Sequence, residues 1–284
     1  MQLSREEFWI LDATAYIQGI FPLYLFNDPE AIAFNKPYHN LTTDQLVDLL
    51  EVMQKKGNLA IFRYSKELFP SFDTVNVLER APKIRIVVDY TPVWESLVFY
   101  PKSVIVEDFI IAAEEQKKDP WGLWTRRKPL CCCMTHQGAE KWEQTAQVDW
   151  NKYFDCFSTT ANYDTDLAEN QSLCYGRAAA LSKQTLDAYF EWKTRWDAHP
   201  DMHETASFRR YHTERIAPWK ATYWKTFPEG FECDFTEYTV HRHESMDYKE
   251  HARRAVFWKR YWDEHHALFG WHNRHIKDFP FVDS

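Results

Sequence analysis

Apolar residues recur at helical spacing twice within the first 60 positions. Ser4 and Glu7 have the spacing of a capping box, and a stripe of apolar residues follows them, interrupted by Asp12. Thr42 and Gln45 repeat the capping spacing ahead of a second apolar stripe, which a glycine ends. The pattern therefore predicts two helices, each with a hydroxyl residue as its N-cap.

Short segments rich in β-branched and aromatic residues alternate with helical patterns up to residue 143. The predicted strands are 59–64, 84–90, 122–127 and 130–134. A third helix is predicted at 104–118, and the last two strands have the form of a hairpin. Thr135 is the predicted N-cap of another helix.

The chain becomes polar after residue 155, which predicts a linker at 156–171. We expect a mixed α/β domain over 1–155 and a mainly α-helical, Trp-rich domain over 172–284, an α+β fold class overall. The elements predicted for the second domain are helices at 173–196, 207–216 and 248–269 and an extended segment at 231–243.

A Trp-Lys pattern occurs three times in the predicted helical half. Each copy has an aromatic residue, a lysine, and a second aromatic residue four positions after the first, so both rings share one face of a helix. The tryptophans of these segments are Trp192, Trp196, Trp219, Trp224, Trp258 and Trp262, and in the second copy Tyr223 is the aromatic residue at the fourth position, directly before Trp224. The preferred interpretation is packing inside a helical bundle. The alternatives are a surface that stacks bases or a surface that binds a partner protein.

The segment 133–143 runs from the end of a predicted strand through Met-Thr-His-Gln-Gly into a predicted helix. It resembles the wing exit of winged helix-turn-helix domains, with Met134 where that family usually has Leu. The resemblance concerns about residues 104–143, and it implies that Arg126, Arg127 and Lys128 occupy the wing tip, where family members contact phosphates. The helix at 104–118 would then recognise DNA, but its carboxylates oppose binding to a phosphate-lined groove.

His241 and His243 would lie on one face of a strand at 231–243, together with Cys233. A pair of histidines is the start of a zinc or iron site. The spacing matches no established metal signature, and 12 histidines in one chain form local clusters by chance. We therefore expect no cofactor, with zinc or iron as the alternative.

Composition narrows the function classes further. Only 7 glycines are present, and neither the dinucleotide-binding and P-loop glycine patterns nor the GxSxG and HExxH motifs occur. The net charge of −8 disfavours nucleic acid and anionic membranes as partners. The six cysteines, three of them consecutive, predict thiols rather than a disulfide framework. The charged start and the lack of a long apolar run predict a cytoplasmic protein without a membrane span.

The preferred hypothesis is a non-catalytic cytoplasmic protein that binds or regulates another protein, with an immunity-type neutraliser as one form. An enzyme is the less favoured class, because the common catalytic motifs are missing. One alternative is a winged-helix protein that binds nucleic acid through Arg126, Arg127 and Lys128. The other is a metal-dependent enzyme that uses the cluster of histidines around His241 and His243.

Overall fold

The computed structural model describes eight segments of the chain. They are residues 3–16, 21–27, 41–63, 98–118, 129–160, 171–202, 204–241 and 248–271. The strands predicted at 84–90 and 122–127 lie outside these residues, as do Arg126, Arg127, Lys128 and His243.

Helices and short strands alternate in the first half of the molecule. In chain order they are α1 (Arg5–Tyr16), β1 (Phe21–Pro22), a 3₁₀ helix (Leu23–Asn27), α2 (Thr43–Lys55), β2 (Leu59–Arg63), α3 (Lys102–Lys118), β3 (Leu130–Met134) and α4 (His136–Ala146). The helices α1 to α4 and the strands β2 and β3 agree with elements predicted from the sequence, whereas β1 and the 3₁₀ helix were not predicted.

The predicted helix caps are confirmed by hydrogen bonds, which are reciprocal at the first two caps. The amide of Glu7 donates to Ser4 Oγ at 3.1 Å, and the amide of Ser4 donates to Glu7 Oε2 at 3.0 Å. Thr42 and Gln45 form the same box at the start of α2. Thr135 Oγ1 accepts the amide of the third residue of α4 at 3.0 Å. Each cap satisfies backbone donors that would otherwise lack partners in the first turn.

β3 is the central strand of an antiparallel sheet with the order β1–β3–β2. All five of its side chains are buried, because α1 and α4 pack against it. The consecutive residues Cys131, Cys132 and Cys133 lie in this strand, and none of the six cysteines of the chain is disulfide-bonded. They act as small apolar residues in the core.

The second half contains a larger sheet. Its elements are a 3₁₀ helix (Trp150–Lys152), β4 (Phe154–Thr160), β5 (Gln171–Ala180), α5 (Lys183–Asp197), β6 (Glu204–Ile216), β7 (Trp219–Lys220), β8 (Thr226–Phe227), β9 (Gly230–His241) and α6 (Tyr248–Phe269). The antiparallel order β4–β5–β9–β6 places α5 on one face, and α6 packs against α5. β7 and β8 form a separate pair.

The prediction of a mainly helical domain over 172–284 is wrong, because β5, β6 and β9 place much of this region in a sheet. The helix predicted at 173–196 is in fact most of β5 followed by α5, which Ser182 caps. Alanines near the end of β5 favour helix in isolation. In the sheet, Ala178 and Ala180 instead leave room for Phe190 of α5 and Phe235 of β9.

The helix predicted at 207–216 is also wrong, since these residues belong to the edge strand β6. Its register against β9 shifts between Arg210 and Thr213, which is a β-bulge. A bulge adds one residue and breaks the period-two alternation that marks a strand in a sequence. The strand predicted at 231–243 and the helix at 248–269 are confirmed by β9 and α6.

Residues from both halves meet around the β7–β8 pair. The amide of Met134 in β3 donates to Tyr223 Oη at 3.1 Å, and Tyr153 Oη donates to the carbonyl of Ala221 at 2.8 Å. β4 occupies the beginning of the segment predicted as a linker, whereas residues 161–170 lie outside the described part. No helix in the described segments is long and apolar enough to cross a bilayer.

Candidate interaction surface

Two of the three Trp-Lys segments face each other where α5 packs against α6. Trp192 lies 4.6 Å from Tyr261 between ring centroids, and Trp196 lies 5.3 Å from Phe257. The residues that form this contact are called the α5–α6 cluster: Trp192, Trp196, Phe257, Tyr261, His265 and Phe269. Trp192 and Trp196 are buried, so these two candidate residues stabilise the packing of the helices.

The lysines of these segments are engaged in ion pairs. Lys193 Nζ lies 2.7 and 2.9 Å from the two carboxylate oxygens of buried Asp197, and 3.5 Å from Glu237 on β9. Lys259 pairs with Asp263 one turn along α6 at 2.6 Å. A lysine already paired with a carboxylate contributes less to the binding of a phosphate. The basic part of the Trp-Lys pattern therefore gives little support to nucleic-acid binding.

Trp262 differs from the other candidate tryptophans in its exposure. It is 46% exposed on α6, whereas Trp258 is half-buried and Trp192, Trp196, Trp219 and Trp224 are buried. Its ring contacts Tyr261 and His265, with centroids 5.0 and 5.5 Å away. These contacts leave nearly half of the residue exposed. Trp262 is therefore an exposed aromatic side chain beside a packed aromatic cluster.

His265 lies between the buried and the exposed parts of this region. Its ring contacts Trp192 at 4.9 Å and Trp262 at 5.5 Å. Burial lowers the pKa of His265 below its ordinary value, and the neighbouring His266 lowers it further. The imidazole is therefore held in its neutral form more strongly than an exposed histidine.

The third Trp-Lys segment is not helical, because Trp219 begins β7 and Trp224 lies in the turn before β8. Both belong to a second aromatic group, called the junction cluster: Trp142, Trp150, Tyr153, Trp219, Trp224 and Trp271. The Trp142 and Trp224 centroids are 5.7 Å apart. This cluster joins α4 of the first half to the β7–β8 pair of the second.

Glu143 on α4 is the polar centre of the junction cluster. It accepts a hydrogen bond from Trp224 Nε1 at 2.8 Å and one from Trp150 Nε1 at 3.5 Å. Lys225 Nζ also lies 3.0 Å from its carboxylate. Trp142 Nε1 donates to Asp12 Oδ1 at 3.0 Å, which explains why a carboxylate interrupts the apolar stripe of α1. The indole donors of these three tryptophans are thus matched to acceptors on α1 and α4.

The acidic residues of α3 have at least one structural role. Buried Asp108 accepts the amide of Leu130 at 3.1 Å, at the start of β3, and Arg63 lies 3.4 Å from its other carboxylate oxygen. Asp108 thus ties α3 to the three-stranded sheet. This gives a physical reason for a carboxylate in the helix that the winged-helix resemblance assigns to DNA recognition.

Cys233 lies near the start of β9, and His241 is the last residue of that strand. They are eight residues apart, which is about 26 Å in an extended strand. One ion therefore does not bind both. Cys233 instead packs with Ala178 and Phe235 beneath α5. In the described segments, no three His, Cys, Asp or Glu side chains are grouped as a metal site.

Two of the buried cysteines are poorly suited to nucleophilic chemistry. Burial raises the pKa of Cys131 and Cys132 well above the ordinary thiol value. Because the thiolate is the reactive form, these two thiols are held in an unreactive state. Cys156 is exposed, and Tyr189 Oη donates to its sulfur at 3.8 Å.

Sequence reasoning missed Glu143, Asp197 and the exposed side chains of the large sheet. The four-residue spacing of Lys193 and Asp197 is a detectable signal of an ion pair. The role of Glu143 has no comparable local signal, because Trp224 and Lys225, which donate to it at the shorter distances, are about 80 residues away in the chain. Comparisons of the chain with family models, curated proteins and solved structures found no match.

Proposed function

We propose that this chain is a non-catalytic regulator that acts by binding another protein, and that Trp262 on α6 is a central contact. An immunity-type neutraliser is one form of such a regulator. The single observation that carries the proposal is the exposure of Trp262 beside a packed aromatic cluster. Tryptophan is enriched among the residues that contribute most to protein–protein affinity.

The surroundings of Trp262 fit the rim of a protein interface. Lys259 pairs with Asp263 on α6, and Arg195 of α5 pairs with Glu264. Such exposed, mutually paired charges contribute little to stability, but they give a polar border around an aromatic contact. The Trp262 ring contacts Tyr261 and His265 in the folded protein. These contacts restrict the side chain before a partner binds, so binding costs less conformational entropy.

The charge of the chain favours protein over nucleic acid as the partner. The net charge is −8, and two of the lysines in the Trp-Lys pattern are paired with carboxylates. We propose the cytoplasm as the compartment in which the protein acts. The unbridged cysteines, including three consecutive residues of β3, fit a reducing environment.

Site-specific photo-crosslinking tests the proposal. Benzoylphenylalanine replaces Trp262 in the full chain, produced in its native cells, and a second protein carries it at Phe99, an exposed aromatic position far along the chain. We expect one protein species to crosslink from position 262 and not from position 99. Mass spectrometry of the crosslinked band identifies that species.

The purified partner then permits a quantitative test. We expect Trp262→Ala to weaken binding by about 30-fold or more, which corresponds to the ~2 kcal/mol of a major interface residue. Phe99→Ala is the matched control and should change the dissociation constant less than about twofold. Equal affinity of the wild-type and Trp262→Ala proteins, or the absence of a crosslink from position 262, would contradict the proposal.

A further inference from the structure

The four-stranded sheet has two faces of different character. α5 packs on the face formed by residues such as Ala178, Phe208 and Phe235. The opposite face, called the outer face, carries the alternate residues of each strand, as the register requires. In β5, β9 and β6 these are Leu173, Tyr175, Arg177, Glu232, Asp234, Thr236, Tyr238, Ser207, Arg209 and Glu214.

Tyrosines are exposed on this outer face. Tyr211 is 53% exposed and Tyr175 is 39% exposed, and Tyr238 between their strands is half-buried. The Arg209 guanidinium lies 5.7 Å from the centroid of the Tyr211 ring, which places both side chains on the same side of β6. Tyrosine rings bind apolar and cationic groups at little entropic cost, because only two side-chain torsions must be fixed.

Carboxylates surround the one arginine at the centre of the outer face. Arg177 Nε donates to Asp234 Oδ1 at 2.7 Å, and its Nη1 donates to Glu232 Oε2 at 3.1 Å. The hydrogen bond that Arg177 donates to Asp234 raises the pKa of Arg177, and the charges of Asp234, Glu232 and Glu214 raise it further. A single guanidinium is thus held among three carboxylates.

The register extends this negative charge across the sheet. Asp155 of β4, Glu232 of β9 and Glu214 of β6 lie in one row with Ala179 of β5. Together with Asp234 they give four carboxylates, against the two positive charges of Arg177 and Arg209. The outer face therefore has an excess of negative charge, in agreement with the acidity of the whole chain.

We propose that the outer face binds a basic segment of a partner protein, with arginine or lysine side chains over Tyr175 and Tyr211 and beside the exposed carboxylate of Glu214. Charge complementarity selects this occupant, because phosphate groups would be repelled by the carboxylate row. The proposal goes beyond the function assigned to Trp262, since it concerns the opposite side of the sheet from α5 and rests on different residues.

Isothermal titration of the full chain with defined peptides tests this inference. The probes are a 12-residue peptide of alternating Arg and Ser, its Glu-Ser counterpart, and a 12-nucleotide oligothymidylate. We expect the Arg-Ser peptide to bind at least about 10-fold more tightly than either anionic probe, and its affinity to fall as salt rises. Tighter binding of the oligothymidylate would overturn the proposal in favour of a nucleic-acid surface.

Matched variants separate the outer face from general attraction to an acidic protein. Glu214→Lys combined with Tyr211→Ser changes two exposed outer-face residues, and Glu114→Lys combined with Phe99→Ser makes the same changes in the first half. The outer-face variant should weaken binding of the Arg-Ser peptide by about 10-fold or more, and the control by less than about twofold. Equal losses in the two variants would overturn the proposal.

Trp262→Ala distinguishes this inference from the proposed function. We expect it to leave the affinity for the Arg-Ser peptide unchanged, because Trp262 lies on α6 rather than on the outer face. Loss of peptide binding in Trp262→Ala would overturn the outer-face assignment. The two proposals can also be separated by their tests. If no protein crosslinks from position 262 but the outer-face variant still binds the Arg-Ser peptide more weakly, the proposed function is contradicted and the outer-face proposal is supported.

Discussion

The junction cluster and the α5–α6 cluster are both rich in tryptophan, yet they differ in the elements that their tryptophans join and in the acceptors that individual indoles reach. In the junction cluster, Trp142 donates to Asp12, and Trp224 donates to Glu143. In the α5–α6 cluster, Trp196 donates to Glu264, but buried Trp192 Nε1 has no hydrogen-bond partner in the described structure. The difference shows that the contribution of a tryptophan depends on the acceptor that its indole nitrogen reaches and not on residue type alone.

The two clusters also differ in what they leave exposed. The junction cluster joins α4 to the β7–β8 pair and buries Trp142 completely. The α5–α6 cluster carries Trp262 on its outer side, with nearly half of the residue exposed. We therefore expect substitutions in the junction cluster to change stability most, and substitutions at Trp262 to change binding instead.

Truncation of Trp142 provides the largest expected effect. Trp142→Ala should lower the free energy of unfolding by about 3–5 kcal/mol, because it leaves a cavity in a packed core. Trp262→Ala makes the same chemical change at an exposed site and should cost less than about 1 kcal/mol. Urea unfolding followed by circular dichroism measures both. Similar losses in the two variants would remove the distinction between the clusters.

Removal of Glu143 tests the polar centre of the junction. Glu143→Ala leaves Trp224 Nε1 without its acceptor and Lys225 without its partner, so we expect a loss of about 1–3 kcal/mol. Glu140→Ala on the exposed side of the same helix is the control and should stay within about 0.5 kcal/mol of the wild type. If the two variants have equal denaturation midpoints, Glu143 does not hold the halves together.

A matched pair of Trp→Phe substitutions isolates the indole hydrogen bond. Trp142→Phe removes a donor that Asp12 accepts, whereas Trp192→Phe removes a buried donor with no described acceptor. We expect Trp142→Phe to cost about 1 kcal/mol more than Trp192→Phe, because only the first loses a hydrogen bond. Chemical denaturation of both variants measures the difference. A larger loss in Trp192→Phe would show that its indole nitrogen has a partner.

Acidification should weaken the α5–α6 cluster slightly. The folded protein lowers the pKa of His265 below its ordinary value of 6.5, so the unfolded chain binds the proton first as the pH falls. The stability that depends on neutral His265 is therefore present above pH 6.5 and is lost as the pH falls from 6.5 through the lower folded pKa. His265 is only partly buried, so we expect this change in stability to be the smallest of the four predicted in this Discussion.

Thermal unfolding of the wild type and His265→Gln between pH 7.5 and 5 measures this effect. The variant should have a shallower decline in melting temperature, because its side chain does not titrate in this range. The other histidines are present in both proteins, so the difference between the two pH profiles reports His265 alone. Parallel profiles for the two proteins would contradict the assignment of pH sensitivity to His265.

Local signals determined the parts of the fold that the sequence predicted correctly. The caps Ser4, Thr42 and Thr135 and the helices they begin depend on residues within one or two turns. Strand β3 and helix α6 were predicted for the same reason, since each has a continuous pattern of its own. The burial of the six candidate tryptophans could not be predicted in this way, because the same position of the Trp-Lys pattern is buried at Trp196 and exposed at Trp262.

The candidate surfaces depended on long-range pairing. The outer face exists because β9 pairs with both β5 and β6. The bulge in β6 breaks the alternation of apolar and polar residues, so the sequence pattern did not indicate a strand there. Arg177 meets Asp234 and Glu232 only after residues more than 50 positions apart have paired. A pattern in a single segment contains no information about such partners.

The sequence by itself determined the starts of α1, α2 and α4, the buried strand of cysteines, the excess of negative charge and the abundance of tryptophan. The tertiary structure alone decided that residues 204–216 form a strand, that Glu143 unites the halves, and that Trp262 remains accessible. The physical reason is the range of the interactions. Caps and apolar periodicity act within a few residues, whereas sheet pairing and aromatic packing depend on groups far apart in the chain.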